Sequence, residues 1–192
     1  MIRKTVLALM LAAAGVNAHA ALSAGDIAFT SFNADEDGLS FVTFQNIDAN
    51  TTIFFSDNEW GGSAFNTGES YNQWNSGSSQ IDAGSVIRFS AYDKTTLSAS
   101  TGTLSRVTVA SNTNWGISTT ADTIYAYLGS SATAPTTFLS AISNATDGSL
   151  VGTGLTEGTN AIRLNSIATG ATPDYAEYNG ARSGAASFDA YK

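Results

Sequence analysis

The chain has 192 residues, of which 16 are acidic, 8 are basic, one is histidine and none is cysteine. Its formal net charge of −8 excludes nucleic acid and anionic lipid as partners, because phosphate groups are bound by clusters of Lys and Arg. Disulfide bonds and cysteine nucleophiles are excluded as well, and a hydrophobic content of 43% is too high for a disordered polar chain.

The first twenty residues have the three parts of a secretory signal peptide. Arg3 and Lys4 form a basic start, and an uncharged apolar run over residues 5–16 follows. That run is too short to span a membrane as a stop-transfer helix. Ala18 and Ala20 are the small residues that signal peptidase requires, so we expect cleavage after Ala20 and export from a bacterial cell.

Cleavage at this point restricts the chemistry open to the rest of the chain. His19 is the only histidine, and it leaves together with two of the eight basic residues and none of the acidic ones, so residues 21–192 carry a net charge of −10. Without histidine or cysteine, Ser-His-Asp and Cys-His catalysis are excluded, as are zinc sites built on thiolate or imidazole.

Short apolar runs, rich in β-branched and aromatic residues and separated by Gly, Asn, Asp and Ser, continue along the chain. These runs predict strands over residues 27–32, 39–44, 51–56, 86–89, 106–110, 123–128, 161–164 and 175–178. Residues 135–142 fit either a strand or a short helical turn. Because almost no helical periodicity is present, residues 21–192 are predicted to form one all-β sandwich domain. The residues expected in its core are Phe29, Phe41, Ile53, Phe55, Ile87, Val107 and Ile124.

Two segments lack a strand pattern. Residues 58–80 are rich in Gly, Ser and Asn and carry several aromatic side chains, and residues 151–158 form a second Gly-rich excursion. A loop as long as the first is uncommon unless it has a function or contains an unrecognised strand. At the C-terminus, residues 187–192 resemble the first turn of a helix capped by Ser187, which favours a chain cut before a further segment.

Several of these runs together resemble a known family. The sequences GDIAFTSFNAD (residues 25–35), IFFSDNEW (53–60) and DTIYAY (122–127) are similar to secreted bacterial lamin-tail-like domains, and the similarity covers most of residues 25–165. The resemblance implies an immunoglobulin-like β-sandwich with long loops and an extracellular, envelope-linked role, and it implies no activity. Many members carry a C-terminal PEP-CTERM tail for exosortase sorting, a pattern that this sequence does not contain.

An acidic segment between the first two predicted strands has part of a calcium-loop pattern. Asn33, Asp35 and Asp37 place oxygen ligands at every second position, and a glycine follows where such a loop turns sharply. The pattern then fails, because the twelfth position is Phe44 rather than a bidentate Glu. A calcium site completed from elsewhere in the chain and an ordinary acidic turn are therefore the two alternatives.

Two further acids, Asp57 and Glu59, follow the third predicted strand and are candidates to complete that calcium site. In extended chain, residues two apart face the same side, so these carboxylates also resemble the acid pair of a retaining glycoside hydrolase. Such hydrolysis needs neither histidine nor cysteine. A pair of solvated acids beside a turn is the alternative interpretation.

Aromatic residues in the polar segments are candidates for glycan contact. Trp74, Tyr71 and Trp60, together with Trp115, lie among Gly, Ser and Asn, where sugar-stacking rings are often found. Trp74 is expected to be the most exposed ring, and Trp60 to pack beneath the sheet. Core packing is the alternative for each of them.

These observations favour an exported, non-enzymatic module of the cell surface or extracellular matrix. Calcium is the only cofactor that the sequence suggests, and an extracellular polysaccharide or a second copy of the chain is the expected partner. Contact with a membrane is expected only through a sorting tail. A carbohydrate-active hydrolase that uses Asp57 and Glu59 is the alternative.

Overall fold

A computed structural model describes residues 21–167 and 172–191, and the predicted signal peptide lies outside these ranges. The strands are β1 (Ile27–Asn33), β2 (Gly38–Thr43), β3 (Thr52–Ser56), β4 (Tyr71–Asn75), β5 (Val86–Ser90), β6 (Ser98–Ala99), β7 (Thr103–Arg106), β8 (Thr123–Ser131), β9 (Ala134–Ser143), β10 (Ala161–Arg163) and β11 (Tyr175–Glu177). A short helix, α1 (Leu164–Ile167), and a 3₁₀ turn (Phe188–Tyr191) complete the described elements. Within the described ranges, no helix has the length and apolar character needed to cross a membrane.

The strands form two sheets. The five-stranded sheet has the order β11-β1-β2-β5-β6, and the six-stranded sheet has the order β10-β9-β8-β3-β4-β7. All pairs are antiparallel except β9 and β10. Because side chains from both sheets form one apolar cluster, the sheets pack face to face, and the predicted all-β, two-layer fold is confirmed at that level.

The core between the two sheets contains aromatic rings from inward-facing positions of the strands. Phe41 of β2 lies 5.7 Å from Phe55 of β3 between ring centroids, and Phe55 lies 5.0 Å from Phe89 of β5. A β-bulge between Phe29 and Ser31 shifts the alternation of β1, so that Phe29 and Phe32 both reach this core. Six of the predicted core residues are buried in it: Phe29, Phe41, Ile53, Phe55, Ile87 and Ile124.

A second apolar cluster covers the other face of the six-stranded sheet. The residues between β3 and β4 contribute Trp60 and Phe65, and the segment after β9 contributes Leu155. These side chains pack on Phe54 and Tyr125, whose strand neighbours face the main core. β3 and β8 are therefore apolar on both faces, which explains their continuous hydrophobic sequences.

The structure decides two alternatives that the sequence leaves open and corrects one predicted strand. The segment 58–80 contains β4, and the ambiguous run 135–142 is strand β9. The strand predicted over residues 106–110 is instead β7, Thr103–Arg106. Val107 is consequently outside the main core, and it packs half-buried against the second cluster.

Candidate functional site

The acidic segment between β1 and β2 is a turn whose side chains bond to backbone amides. Asn33 Oδ1 accepts a hydrogen bond from the amide of Glu36 at 3.0 Å. Asp37 Oδ1 accepts one from the amide of Ile117 at 2.6 Å, and burial raises the pKa of Asp37 although this bond lowers it. Asp35 is exposed. These bonds account for Asn33 and Asp37 without an ion and favour the acidic turn over the calcium site, the other alternative.

Asp57 is not an accessible member of an acid pair. Side chains alternate between the two faces of extended chain, so Asp57 lies on the same side as Phe55, and its side chain is fully buried. Asp57 Oδ1 accepts hydrogen bonds from the Ser70 amide at 2.7 Å and the Ser70 hydroxyl at 2.9 Å. The open Asp57–Glu59 pair expected for glycoside hydrolysis is therefore wrong, because a polysaccharide cannot reach a carboxyl group inside the sandwich.

Asp57 belongs to a row of polar side chains on the inner face of the six-stranded sheet. Asn72 of β4 pairs with Phe55 and with Arg106 of β7, and Asp122 lies two residues before the core residue Ile124 of β8. We call Asp122, Asp57, Asn72 and Arg106 the inner polar row. The sequence does not reveal this row, because carboxylates and amides are normally found on the surface.

Tyr92, in the segment between β5 and β6, meets this row from the opposite sheet. Its side chain is fully buried, and its backbone carbonyl accepts a 2.6 Å hydrogen bond from the Arg106 guanidinium. The Asn72 side chain bonds to that of Tyr92, and buried atoms without a hydrogen-bond partner in the described structure remain close by: Asp57 Oδ2, Arg106 Nη1 and Asp122 Oδ1. Burying polar groups in this way is costly, so the row is a source of instability.

Burial changes the protonation of both acids in the row. Loss of solvent raises the pKa of Asp57 to about 8, against the lowering effect of the Ser70 hydroxyl. Loss of solvent, followed by the charge of Asp57, raises the pKa of Asp122 to about 9. Both shifts favour the protonated carboxyl group at neutral pH, and a proton removes the need for a counter-ion in the interior.

A looser group of acids, Glu59, Glu69 and Asp147, lies nearer the surface at the same end of the sheet. Burial raises the pKa of Glu69 to about 7, with further contributions from the charges of Glu59 and Asp147. Glu59 accepts a hydrogen bond from the Asn66 amide group, and Asp147 accepts one from the Thr123 hydroxyl. Across the described ranges, no three acidic side chains are arranged to hold a metal ion.

The aromatic candidates for glycan contact are buried. Trp74 has no exposed surface, and its indole donates a 2.7 Å hydrogen bond to the carbonyl of Thr101, so the expectation of an exposed ring there is wrong. Tyr71 and Trp60 lie in the second cluster, and Trp60 packs there as expected. Trp115 is half-buried, and the Arg106 guanidinium lies 4.4 Å from its ring centroid.

A cavity of about 750 Å³ opens elsewhere, on the outer face of the five-stranded sheet. Its floor is formed by outward side chains of β1, β2 and β5, and its walls come from the segment 157–163 and from residues of the C-terminal segment 177–191. We call this cavity the sheet groove. The floor side chains are Ala28, Thr30, Ser40, Val42 and Val86.

Hydroxyl groups and paired charges give the sheet groove its polar contacts. The Ser40 hydroxyl lies 2.7 Å from that of Thr30 and 2.6 Å from that of Ser31. The charged residues that line the walls form two ion pairs, Arg163 with Glu157 at 3.1 Å and Arg182 with Glu177 at 3.2 Å. The sequence contains one signal of this groove, since the outward residues of β1 and β2 are small or hydroxylated rather than charged.

Comparisons with protein-family models, curated proteins and solved structures find no match to this chain. The resemblance to lamin-tail-like domains therefore stays a prediction.

Proposed function

We propose that this protein is an exported, non-enzymatic module of the cell surface or extracellular matrix that binds its partner in the sheet groove. The groove itself is the observation that carries this proposal. Its volume of about 750 Å³ lies within the range of roughly 300–1,000 Å³ that ligand pockets occupy. Val86 and Tyr178, on two sides of the groove, are 55% and 46% exposed, so a ligand has access to it.

The position of Asp57 supports a non-enzymatic role. Hydrolysis by paired carboxylates needs both groups at the scissile bond, and Asp57 is enclosed between the sheets. Residues 21–192 contain no histidine or cysteine to supply a different nucleophile and base system. No observation on the described residues favours the hydrolase alternative.

Strand order supports the proposal of an immunoglobulin-like, lamin-tail-like sandwich. The series β9-β8-β3-β4 follows the G-F-C-C′ order of that fold, and β1-β2-β5 follows the order A-B-E. One difference is that β5, the partner of β2, precedes β6 in the chain, whereas strand D precedes strand E in the immunoglobulin order.

The N-terminal sequence supports export. A basic start, an uncharged apolar run and the small residues Ala18 and Ala20 are the pattern that directs a chain to secretion. A net charge of −8 supports a soluble exterior rather than adhesion to anionic lipid. Attachment of the exported protein to the cell surface or matrix therefore depends on a specific binding surface, and we assign that role to the sheet groove.

Fractionation of producing cells tests this function. We expect the protein on the cell surface or in the matrix, with Ala21 as its first residue by intact mass. Val86→Asp places a charge in the sheet groove and should release the protein into the medium. Val151→Asp is the matched control, because Val151 is 72% exposed and does not line the groove. A cytoplasmic location, or equal retention of both variants, would contradict the proposal.

A further inference from the structure

We infer that the occupant of the sheet groove is a neutral oligosaccharide. This inference rests on the proposed binding function and adds the chemical class of the ligand. A sugar ring presents C–H groups on its faces and hydroxyl groups around its edge. A complementary surface therefore alternates apolar patches with hydrogen-bonding groups, and it includes aromatic rings at its border.

The floor of the groove has this alternation. Ala28 and Val42 present apolar surface, and Thr30 presents a half-buried hydroxyl group, bonded to the buried hydroxyl of Ser40, that can both donate and accept. The alternation follows from strand pairing, because Ala28 lies opposite Val42 and Ser31 lies opposite Ser40 across β1 and β2. Apolar and hydroxyl pairs consequently follow one another along the same outer face.

Two tyrosine rings border the floor. Tyr178 follows β11, and its amide still donates a 2.9 Å hydrogen bond to the Thr30 carbonyl, so it is fixed beside β1. The Tyr178 hydroxyl bonds to the carbonyl of Ala181, and that of Tyr191 accepts a hydrogen bond from the Ala185 amide. Tyrosine combines an apolar ring with a polar tip, which suits contact with a ligand that is part apolar and part hydroxylated.

Charge selects a neutral ligand rather than an ionic one. The charged groups that line the groove are two arginines and two glutamates, and each arginine is bonded to a glutamate. The lining therefore carries no net charge, and the chain as a whole carries −8, which repels polyanions. An alkyl chain is a poorer fit, because it would cover the charged arginine and glutamate side chains of the walls without bonding to them.

Affinity electrophoresis with purified protein tests the inference. The probes are the neutral polysaccharides laminarin, dextran and galactomannan, with anionic alginate as the comparison. We expect retardation by at least one neutral probe and none by alginate. Tyr178→Ala should weaken that binding at least tenfold. Val151→Ala should leave it unchanged, because Val151 is 72% exposed and does not line the groove.

A second variant removes hydrogen bonding without changing shape. Thr30→Val should also weaken binding, and thermal melting of each variant shows whether it is folded. Lack of retardation by all neutral probes, or equal weakening by Tyr178→Ala and Val151→Ala, would overturn the inference. A dimer in size-exclusion chromatography that Tyr178→Ala disrupts, without glycan binding, would identify a second copy as the occupant and overturn it too. Release of Val86→Asp from cells would then still support the groove as the binding surface.

Discussion

The indole of Trp74 packs directly over Gly102. The indole nitrogen would lie 2.6 Å from a Cβ atom at position 102, the carbonyl oxygen of Asn75 would be closer still, and the indole donates its hydrogen bond to the preceding residue, Thr101. Gly102 also has a positive φ of 74°, which side chains disfavour. This contact closes the edge of the six-stranded sheet, where β4 pairs with β7.

Substitution of Gly102 therefore tests whether Trp74 is buried as described. Gly102→Ala should lower the free energy of unfolding by about 2–5 kcal/mol, through left-handed strain and overpacking against the Trp74 ring and the Asn75 carbonyl beside it. Gly77→Ala is the control, because Gly77 has a φ of 87° and no atom within 4 Å of a Cβ. It should cost about 1–2 kcal/mol from strain alone. Urea unfolding measures both, and equal losses would mean that the ring does not occupy this position.

Trp74 also shows why part of the fold could not be read from the sequence. The apolar residues of β4, Tyr71 and Trp74, are three apart and face opposite sides of the sheet. Asn72, between them, faces the core side and is fully buried. A strand that is buried on both faces and carries a buried amide has no period-two pattern to detect. By contrast, β1, β2, β3 and β5 are rich in aromatic and β-branched residues, and the sequence predicts their bounds within one residue.

The candidate sites were less predictable than the fold. Asp57 and Glu59 suggested a surface pair, but only the packing of the second sheet reveals that Asp57 is enclosed. The sheet groove depends on the return of the C-terminal segment to the face of β1, a long-range contact with no local signal. Small and hydroxylated outward residues, such as Ala28 and Thr30, were the only trace of it.

Truncation of Phe55 tests the main core. Its ring contacts those of Phe29, Phe41 and Phe89, and its side chain has no exposed surface. Phe55→Ala should cost about 3–5 kcal/mol in urea unfolding, because a cavity remains among the surrounding rings. Val107→Ala is the comparison and should cost less than about 1.5 kcal/mol, since Val107 is half-buried. A loss below about 0.5 kcal/mol for Phe55→Ala would mean that the Phe55 side chain does not face the core.

Substitutions in the turn between β1 and β2 test whether its acidic side chains bind calcium or only bond to backbone amides. Asp37 joins this turn to the amide of Ile117, so Asp37→Ala should cost about 1.5–3 kcal/mol. Asp35→Ala should be within about 0.5 kcal/mol of wild type, because Asp35 is exposed. We expect the melting temperature to be equal in EDTA and in millimolar calcium. A calcium-dependent rise that Asp35→Ala abolishes would instead establish the calcium site.

The inner polar row makes stability depend on pH with a definite sign. The pKa of Asp57 rises from its ordinary value of 3.8 to about 8 in the folded protein, mainly because the carboxyl group is buried. Between these values the folded chain holds a proton that the unfolded chain has lost. The free energy of unfolding must therefore fall as the pH rises through this window, by up to about 1.4 kcal/mol per pH unit for one proton.

Asp57→Asn removes the titration of Asp57 and therefore tests its contribution to the pH dependence of stability. Asparagine keeps a carbonyl oxygen for the Ser70 amide and hydroxyl, and it has no charge to desolvate. Between pH 5 and pH 8, the unfolding free energy of Asp57→Asn should fall less steeply than that of wild type, and near pH 8 the variant should be the more stable protein. Asp48→Asn, at an exposed position, should retain the wild-type slope. Parallel curves for wild type and Asp57→Asn in urea unfolding across this range would show that Asp57 does not hold a proton in the folded interior.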